Sequence, residues 1–371
     1  MRILHISSAR TIGGGERHLA DLANALAGRG HEVYATLPLR SPLRDELGAL
    51  PPQNIFTLRL RNALDIGSAL ELARLVREHR IEIVHAHVAR DYPLAALATR
   101  RNRLAKLIIT RHVLFPLNKL HSVTLSHVAR VICVSHAVKD SLNAQQIFPA
   151  NKLSVIPNGI DFQRLEASFQ NFDRDDFRSR MKIPPESLLI GTVGELKRQK
   201  GHEDFLRAAA IIAREREGAH FIIAGADSTR TGEYRTSLEH LIAELQLATR
   251  VHLAGWLDDI APLLAALDLY VSASHTESFG LTIVEAMAFG LPVVATATEG
   301  AQEIINPDDA GVLVPIGNVE RLGSAVLRLL GDKQERVRIG ALSRATARTR
   351  FSLERMVDET EKTYAETMNA E

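Results

Sequence analysis

The sequence has 371 residues, 46% of them hydrophobic, and a formal net charge of +1 at pH 7. That length carries two ordinary domains. A lone Cys excludes an internal disulfide, and no apolar run approaches the ~18 residues that a membrane-crossing helix needs. The expectation is a reducing, cytoplasmic setting with at most peripheral membrane contact. The small net charge hides an asymmetry: residues 1–157 carry an excess of Lys and Arg, and the remainder an excess of Asp and Glu. Different partners are expected for the two halves.

Taken in chain order, short apolar runs alternate with helical patterns. Strands are predicted at Ile3–Ser7, Val33–Leu37, Ile55–Leu58, Ile81–His85, Leu107–Thr110 and Val131–Val134, and helices at Glu16–Ala27 and Leu70–Glu78. The first strand begins at once, so no secretory segment is read at the N-terminus. Cys133 falls in an apolar strand and reads as core. Ser135 reads as the N-cap of a helix to Leu142. Such alternation predicts a doubly wound, mostly parallel sheet, on which ligands bind at the carboxyl ends of strands.

Two features occupy such ends. Thr11-Ile12-Gly13-Gly14-Gly15-Glu16 lets the backbone approach a bound group closely and donate N–H bonds. It does not complete G-x-G-x-x-G, which argues against a dinucleotide. In Val84-His85-Ala86-His87 the period of two puts both imidazoles on one face. A metal held by these two would lack a third ligand nearby in the sequence.

Ile156-Pro157-Asn158-Gly159-Ile160-Asp161 is turn chemistry and reads as a boundary. Phe162–Pro185 reads as polar and irregular. A second alternating domain follows, with strands at Leu188–Val193, Phe221–Gly225, Val251–Gly255 and Leu269–Ser272. Gly194-Glu195-Leu196-Lys197-Arg198-Gln199-Lys200-Gly201 is a basic, Gly-bounded loop suited to a diphosphate. A polar loop to Ser278 then feeds a helix at Gly280–Phe289, a Gly290 stop and a buried strand opened by Pro292. The unpaired N–H groups and dipole of such a helix start favour an anion. Glu277 stands before the helix and Glu285 inside it. Read alone, the stretch also fits an ordinary crossover that buries Ile283, Ala286 and Met287. Asp258-Asp259 reads as a helix start rather than a metal site. Val319–Leu330 and a segment from Phe351 read as helices, and no internal repeat is present.

The run Glu277-Ser278-Phe279-Gly280-Leu281 through Glu285-Ala286-Met287-Ala288 to Gly290-Leu291-Pro292-Val293-Val294-Ala295-Thr296 resembles the E-x7-E signature of retaining GT-B glycosyltransferases of family 4, the group 1 glycosyl transferases. The resemblance covers nearly the whole chain. It extends to Gly13-Gly14-Gly15-Glu16, to the H-x-H of His85 and His87, to the 156–161 connector and to Lys200-Gly201. Glu195 departs from it, standing where the family usually has Arg.

The resemblance implies two Rossmann-like α/β domains with a cleft between them. It implies domains at 1–157 and 158–350, with a 351–371 helix returning to the first. The implied reaction moves a hexosyl or related sugar from a nucleoside diphosphate sugar to a hydroxyl with retention, using no metal and no further cofactor. A UDP-sugar is the foremost donor, with GDP- and ADP-sugars as alternatives. The acceptor would be a glycan, a lipid-linked group or a small molecule in cell-envelope polysaccharide or lipopolysaccharide biosynthesis. Gly14, Arg198, Lys200 and the Phe279-Gly280-Leu281 backbone would hold the diphosphate, and Glu285 the ribose. Glu277 and His87 would act at the sugar, and Arg111-His112 on the acceptor side. The basic cluster Arg100-Arg101-Asn102-Arg103-Leu104-Ala105-Lys106, with Arg111 and Lys119, reads as a surface for an anionic membrane, equally well as a solvated loop, and not as a nucleic-acid site, since no stacking aromatics accompany it. A sugar-nucleotide epimerase and a non-catalytic sugar-nucleotide-binding module are the alternatives.

Overall fold

The computed structural model describes residues 1–169, 172–227, 229, 231–305 and 310–369. The chain divides into two compact units. One comprises residues 1–159 with the terminal helix Leu353–Asn369, and the other residues 160–352.

The first unit is built on seven strands: β1 (Arg2–Ile6), β2 (Glu32–Leu37), β3 (Ile55–Thr57), β4 (Ile83–Ala86), β5 (Lys106–Arg111), β6 (Arg130–Cys133) and β7 (Leu153–Val155). All pair in parallel, in the order β3-β2-β1-β4-β5-β6-β7. The strand order reverses direction between β1 and β4. A parallel sheet covered by helices on both faces buries both faces of each strand, which is why these strands are continuous apolar runs. Ile3, Ile83, Ile108 and Ile132 pack on Leu19, Leu22 and Leu26 of the Gly14–Gly28 helix, and Met356, Val357 and Tyr364 of the terminal helix close the same core.

The second unit holds β8 (Leu188–Val193), β9 (Ala219–Ala224), β10 (Val251–Gly255), β11 (Leu269–Ser272), β12 (Val293–Thr296) and β13 (Val312–Val314). They form a second all-parallel sheet in the order β10-β9-β8-β11-β12-β13, with its reversal between β8 and β11. Two doubly wound Rossmann-like units of this kind form the GT-B fold.

Several elements differ from their sequence expectation. The helix expected from Leu70 begins at Ile66, where Asp65 caps it by accepting from the Ser68 N–H at 3.1 Å; Gly67 and an exposed Ile66 conceal the period. The 162–185 stretch, expected to be irregular, contains helices Phe162–Phe169 and Arg174–Arg180; residues 170 and 171 lie outside the described set. Arg178 makes this stretch look solvent-facing, yet it is buried. Its guanidinium donates to the carbonyls of Pro185, Ser187 and Ala266 and to the Asp268 carboxylate, which satisfies the charge that burial would otherwise penalise. The outer strand β13, three residues long, escapes a pattern search. Among the described residues no helix is long and apolar enough to cross a membrane.

Candidate functional site

In the second unit the loops after β8 and β11 lie side by side, at the place where parallel α/β sheets bind ligands. The loop after β8 ends in a tight turn, Arg198–Lys200, followed by Gly201 in left-handed conformation (φ 66°). A Cβ at Gly201 would stand 1.8 Å from the Ala273 carbonyl oxygen, so only glycine lets the two loops touch. The contact is fixed further by the His275 N–H donating to the Gln199 carbonyl at 2.8 Å, and by His275 Nε2 lying 2.7 Å from Asp204 Oδ2. This latch carries Lys200 to Glu277: Nζ and Oε2 are 2.7 Å apart, and both side chains are largely buried. Ser274 Oγ lies 3.4 Å from the same carboxylate oxygen.

Gly280 follows, with φ at 102°, and the helix Leu281–Ala288 starts there without a side-chain cap. Glycine at this position is demanded by the backbone itself, not only by the approach of a ligand to it. Gly300 supports the same loop: its N–H donates to the Glu277 carbonyl at 3.1 Å, and a Cβ there would meet the Phe279 carbonyl oxygen at 2.4 Å. Phe279 is buried edge-to-face on Phe351, 5.8 Å between centroids, so only its backbone can serve a ligand. Leu281 and Glu285 are half-buried, Glu285 one turn into the helix. Gly290 ends it at φ 73°, with Leu291 N–H donating to the Ala286 carbonyl.

Lys200, Glu277, Gly280, Leu281 and Glu285 are thus brought together, and Arg198 is not. Its exposed guanidinium pairs with Glu203 at 3.3 Å and lies 5.8 Å from the Tyr234 ring centroid. Glu195 pairs with Lys197 at 2.7 Å.

In the first unit the glycine loop belongs partly to a helix. Gly13 is the extended N-cap, Gly14 opens the helix, and Glu16 reaches back to accept from the Gly13 N–H at 3.0 Å. Gly15 faces His112, whose ring would be 3.5 Å from a Cβ there. His87 lies just past β4, at the β1/β4 reversal, and is buried.

The environment of His87 was not legible in the sequence. Parallel register sets His5 of β1 beside His85 of β4. His5 Nδ1 lies 3.0 Å from His87 Nε2. The His85 ring lies tilted 4.2 Å from the His87 ring, with its Nδ1 2.6 Å from the Tyr364 hydroxyl and its Nε2 2.7 Å from Thr110 Oγ1. His18 and His112 complete the array, 5.8 Å and 6.0 Å from the His87 ring. The expectation that no third histidine accompanies His85 and His87 is therefore corrected: His5 joins them, and His18, His87 and His112 form a second set within ligand reach. Strand neighbours 82 residues apart cannot be paired by sequence spacing. Burial holds His5 down to about 3 and His18 to about 4, and keeps His85, His87 and His112 well below the ordinary histidine value, with neighbouring imidazoles adding to the effect. These rings are neutral near pH 7.

The basic cluster is altered by the structure. Arg111 is buried, its guanidinium donating to the Phe115 carbonyl, so it leaves the surface group. Arg100 ties down the 123–127 segment through Val123, Ser126 and His127. Arg101, Arg103 and Lys119 remain exposed, as do the apolar side chains Leu104, Phe115, Leu120 and Val123 of the same 101–123 stretch.

Residues 173–346 match the family model of glycosyl transferases group 1, and residues 12–164 that of glycosyltransferase family 4. The chain is 27% identical over 364 residues to the lipopolysaccharide core biosynthesis glycosyltransferase LpsE of Rhizobium meliloti (strain 1021), covering 96% of this chain and 97% of the relative. A glycosyltransferase from Rickettsia africae ESF-5 superimposes with a TM-score of 0.87 at 25% identity, over 100% of this chain and 99% of that one. Anabaena Alr3699/HepE in complex with UDP and glucose does so with a TM-score of 0.86 at 24% identity, over 99% and 100% of the two chains, a likeness of fold.

Proposed function

Since this chain belongs to the group 1, family 4 glycosyltransferases, we propose that it moves a sugar from a nucleoside diphosphate sugar to a hydroxyl with retention of configuration, without a metal at the diphosphate. The observation that carries this reading is the Lys200–Glu277 pair beside the uncapped start of the Leu281–Ala288 helix. An ammonium has three donors. Lys200 can therefore keep Glu277 and still reach the β-phosphate, leaving Glu277 oriented to accept from sugar hydroxyls.

As the acceptor oxygen bonds to the anomeric carbon, the bond from that carbon to the phosphate oxygen breaks. The acceptor proton passes to the leaving diphosphate. The negative charge that builds on the β-phosphate meets Lys200 and the N–H groups around Gly280 and Leu281, and such preorganised donors usually supply the largest catalytic term. Glu285 takes the ribose hydroxyls. His87 and Glu277 serve the sugar. The lipopolysaccharide-core relative supports a glycan or lipid-linked acceptor in envelope biosynthesis, and a UDP-sugar is the donor proposed. Exposed Arg101, Arg103 and Lys119 suit peripheral contact with an anionic membrane.

A thermal-shift panel of nucleoside diphosphates and their sugars tests the donor assignment. A specific ligand at a hundredfold excess over its dissociation constant stabilises by ~2.7 kcal/mol. The expected result is a shift with one base that Lys200→Met cuts by about half. Equal shifts in wild type and variant would overturn it.

A further inference from the structure

Five buried or half-buried histidines gather in the first unit, and the reaction above uses one. Resting on the assignment of His87 to the sugar end, we propose that His5 is a positioning residue: its Nδ1–H donates to His87 Nε2 and holds His87 in the tautomer whose proton sits on Nδ1.

The two rings are 3.0 Å apart through those nitrogens. Both are neutral near pH 7, so each carries one proton and a single proton lies between them. His85 cannot take the place of His5, although its ring centre lies closer to that of His87, because the Tyr364 hydroxyl and Thr110 Oγ1 already engage both of its nitrogens. Two arrangements remain. His87 Nε2–H could donate to His5 Nδ1, or the reverse. The outer nitrogens decide between them: His5 Nε2 and His87 Nδ1 are both buried without a hydrogen-bond partner among the described residues. The first arrangement leaves a bare N–H on His5 Nε2, inside β1, on a fully buried ring. The second leaves a bare lone pair there and puts the unpaired N–H on His87, at the strand end where ligands bind. An orphaned buried donor is the rarer fault, and an orphaned acceptor is tolerated better. The second arrangement is therefore favoured, and its one unpaired donor is the one that substrate can satisfy. His87 then donates a hydrogen bond to a sugar or acceptor oxygen and does not act as a base, consistent with the leaving diphosphate taking the acceptor proton.

The test uses the full-length protein with 15N-labelled histidine and long-range 1H–15N correlation spectra, His87 being assigned with His87→Gln. The expected spectrum shows neutral His87 protonated at Nδ1. His5→Leu should shift it toward the Nε2–H form, which predominates in free histidine. It should also lower kcat on the order of ten- to a hundredfold with the donor KM unchanged. His5→Asn, whose amide nitrogen sits where Nδ1 was, should keep the tautomer and restore most of kcat. If His5→Leu does not fold, the wild-type spectrum and His5→Asn still decide. An Nε2–H His87 in the wild type overturns the proposal, as does equal impairment by Asn and Leu, or stoichiometric zinc on these rings in the purified protein. Full turnover in His87→Ala would instead reject the sugar-end assignment, while the spectrum would still report whether His5 sets the tautomer.

Discussion

Lys200 Nζ lies 2.7 Å from Glu277 Oε2, joining the loop after β8 to the loop after β11. Each side chain neutralises a charge that would otherwise be largely buried and unpaired, a costly state. The pair also sets the two residues in competition. Lys200 is occupied by a carboxylate here; on the proposed reading, donor binding makes it shared with a phosphate.

That competition separates the two variants. Glu277→Gln frees Lys200 and should bind nucleoside diphosphate at least as tightly as wild type, while turnover falls by about a hundredfold or more. Lys200→Met and Glu285→Gln should each weaken nucleoside diphosphate binding by about tenfold, or ~1.4 kcal/mol. Calorimetry and steady-state kinetics check both. Glu277→Gln with full turnover, or Lys200→Met and Glu285→Gln both with wild-type affinity, would contradict the roles.

Gly201 and Gly232 share a left-handed backbone, at φ 66° and 64°. A Cβ at Gly201 meets the Ala273 carbonyl oxygen, and one at Gly232 meets nothing within 4 Å among the described residues. Gly232→Ala should therefore cost about 1 kcal/mol of stability, the conformational penalty alone. Gly201→Ala should cost about 3 kcal/mol or more and weaken nucleotide binding, because the two loops must part. Denaturant unfolding of both variants decides it, and equal losses would mean the latch contributes little.

The histidine array predicts acid sensitivity. In the unfolded chain each imidazole titrates near 6.5, while in the fold burial holds His5 to about 3 and His18 to about 4. A folded-state value below the unfolded one means that, as pH falls, the unfolded chain takes up protons first. The stability is present above about pH 6.5 and is lost from there toward about pH 4, at ~1.4 kcal/mol per pH unit per histidine. Asp91 acts oppositely. Burial raises its carboxyl to about 6, so over the same window the fold gains a proton that the unfolded chain lacks, offsetting one histidine. Scanning calorimetry between about pH 7 and about pH 5 should show a falling transition temperature and a shallower fall in His18→Asn. A flat profile would contradict the buried neutral rings.

At the surface, Arg101, Arg103 and Lys119 predict salt-sensitive sedimentation with anionic vesicles and little with neutral ones. Each cation near such a surface is worth ~1 kcal/mol within a Debye length of ~10 Å at 0.1 M salt. Changing the three together to Ser should abolish binding while donor hydrolysis is kept. Arg100 is left intact because it anchors Val123 and Ser126. Wild type that stays in the supernatant at low salt would exclude a membrane role.

The sequence by itself determined the alternation of strand and helix, and it located Glu277, Gly280, Glu285 and Lys200. Buried parallel strands must be apolar along their length, and the helix start at Gly280 carries a glycine, so both leave local marks. It also gave Ser135 its capping role, seen as acceptance from the Val138 N–H at 3.1 Å. Only the tertiary structure decided what those residues touch. Lys200 meets Glu277 because Gly201 lets one loop rest on another; Arg198, two residues earlier and equally basic, turns to Glu203. Arg111 and Arg178 look like surface charges until their guanidinium groups are seen donating to main-chain carbonyls in the interior. His5 and His87 meet because β1 and β4 are neighbours in register, a pairing between strands far apart in the chain that no local pattern encodes.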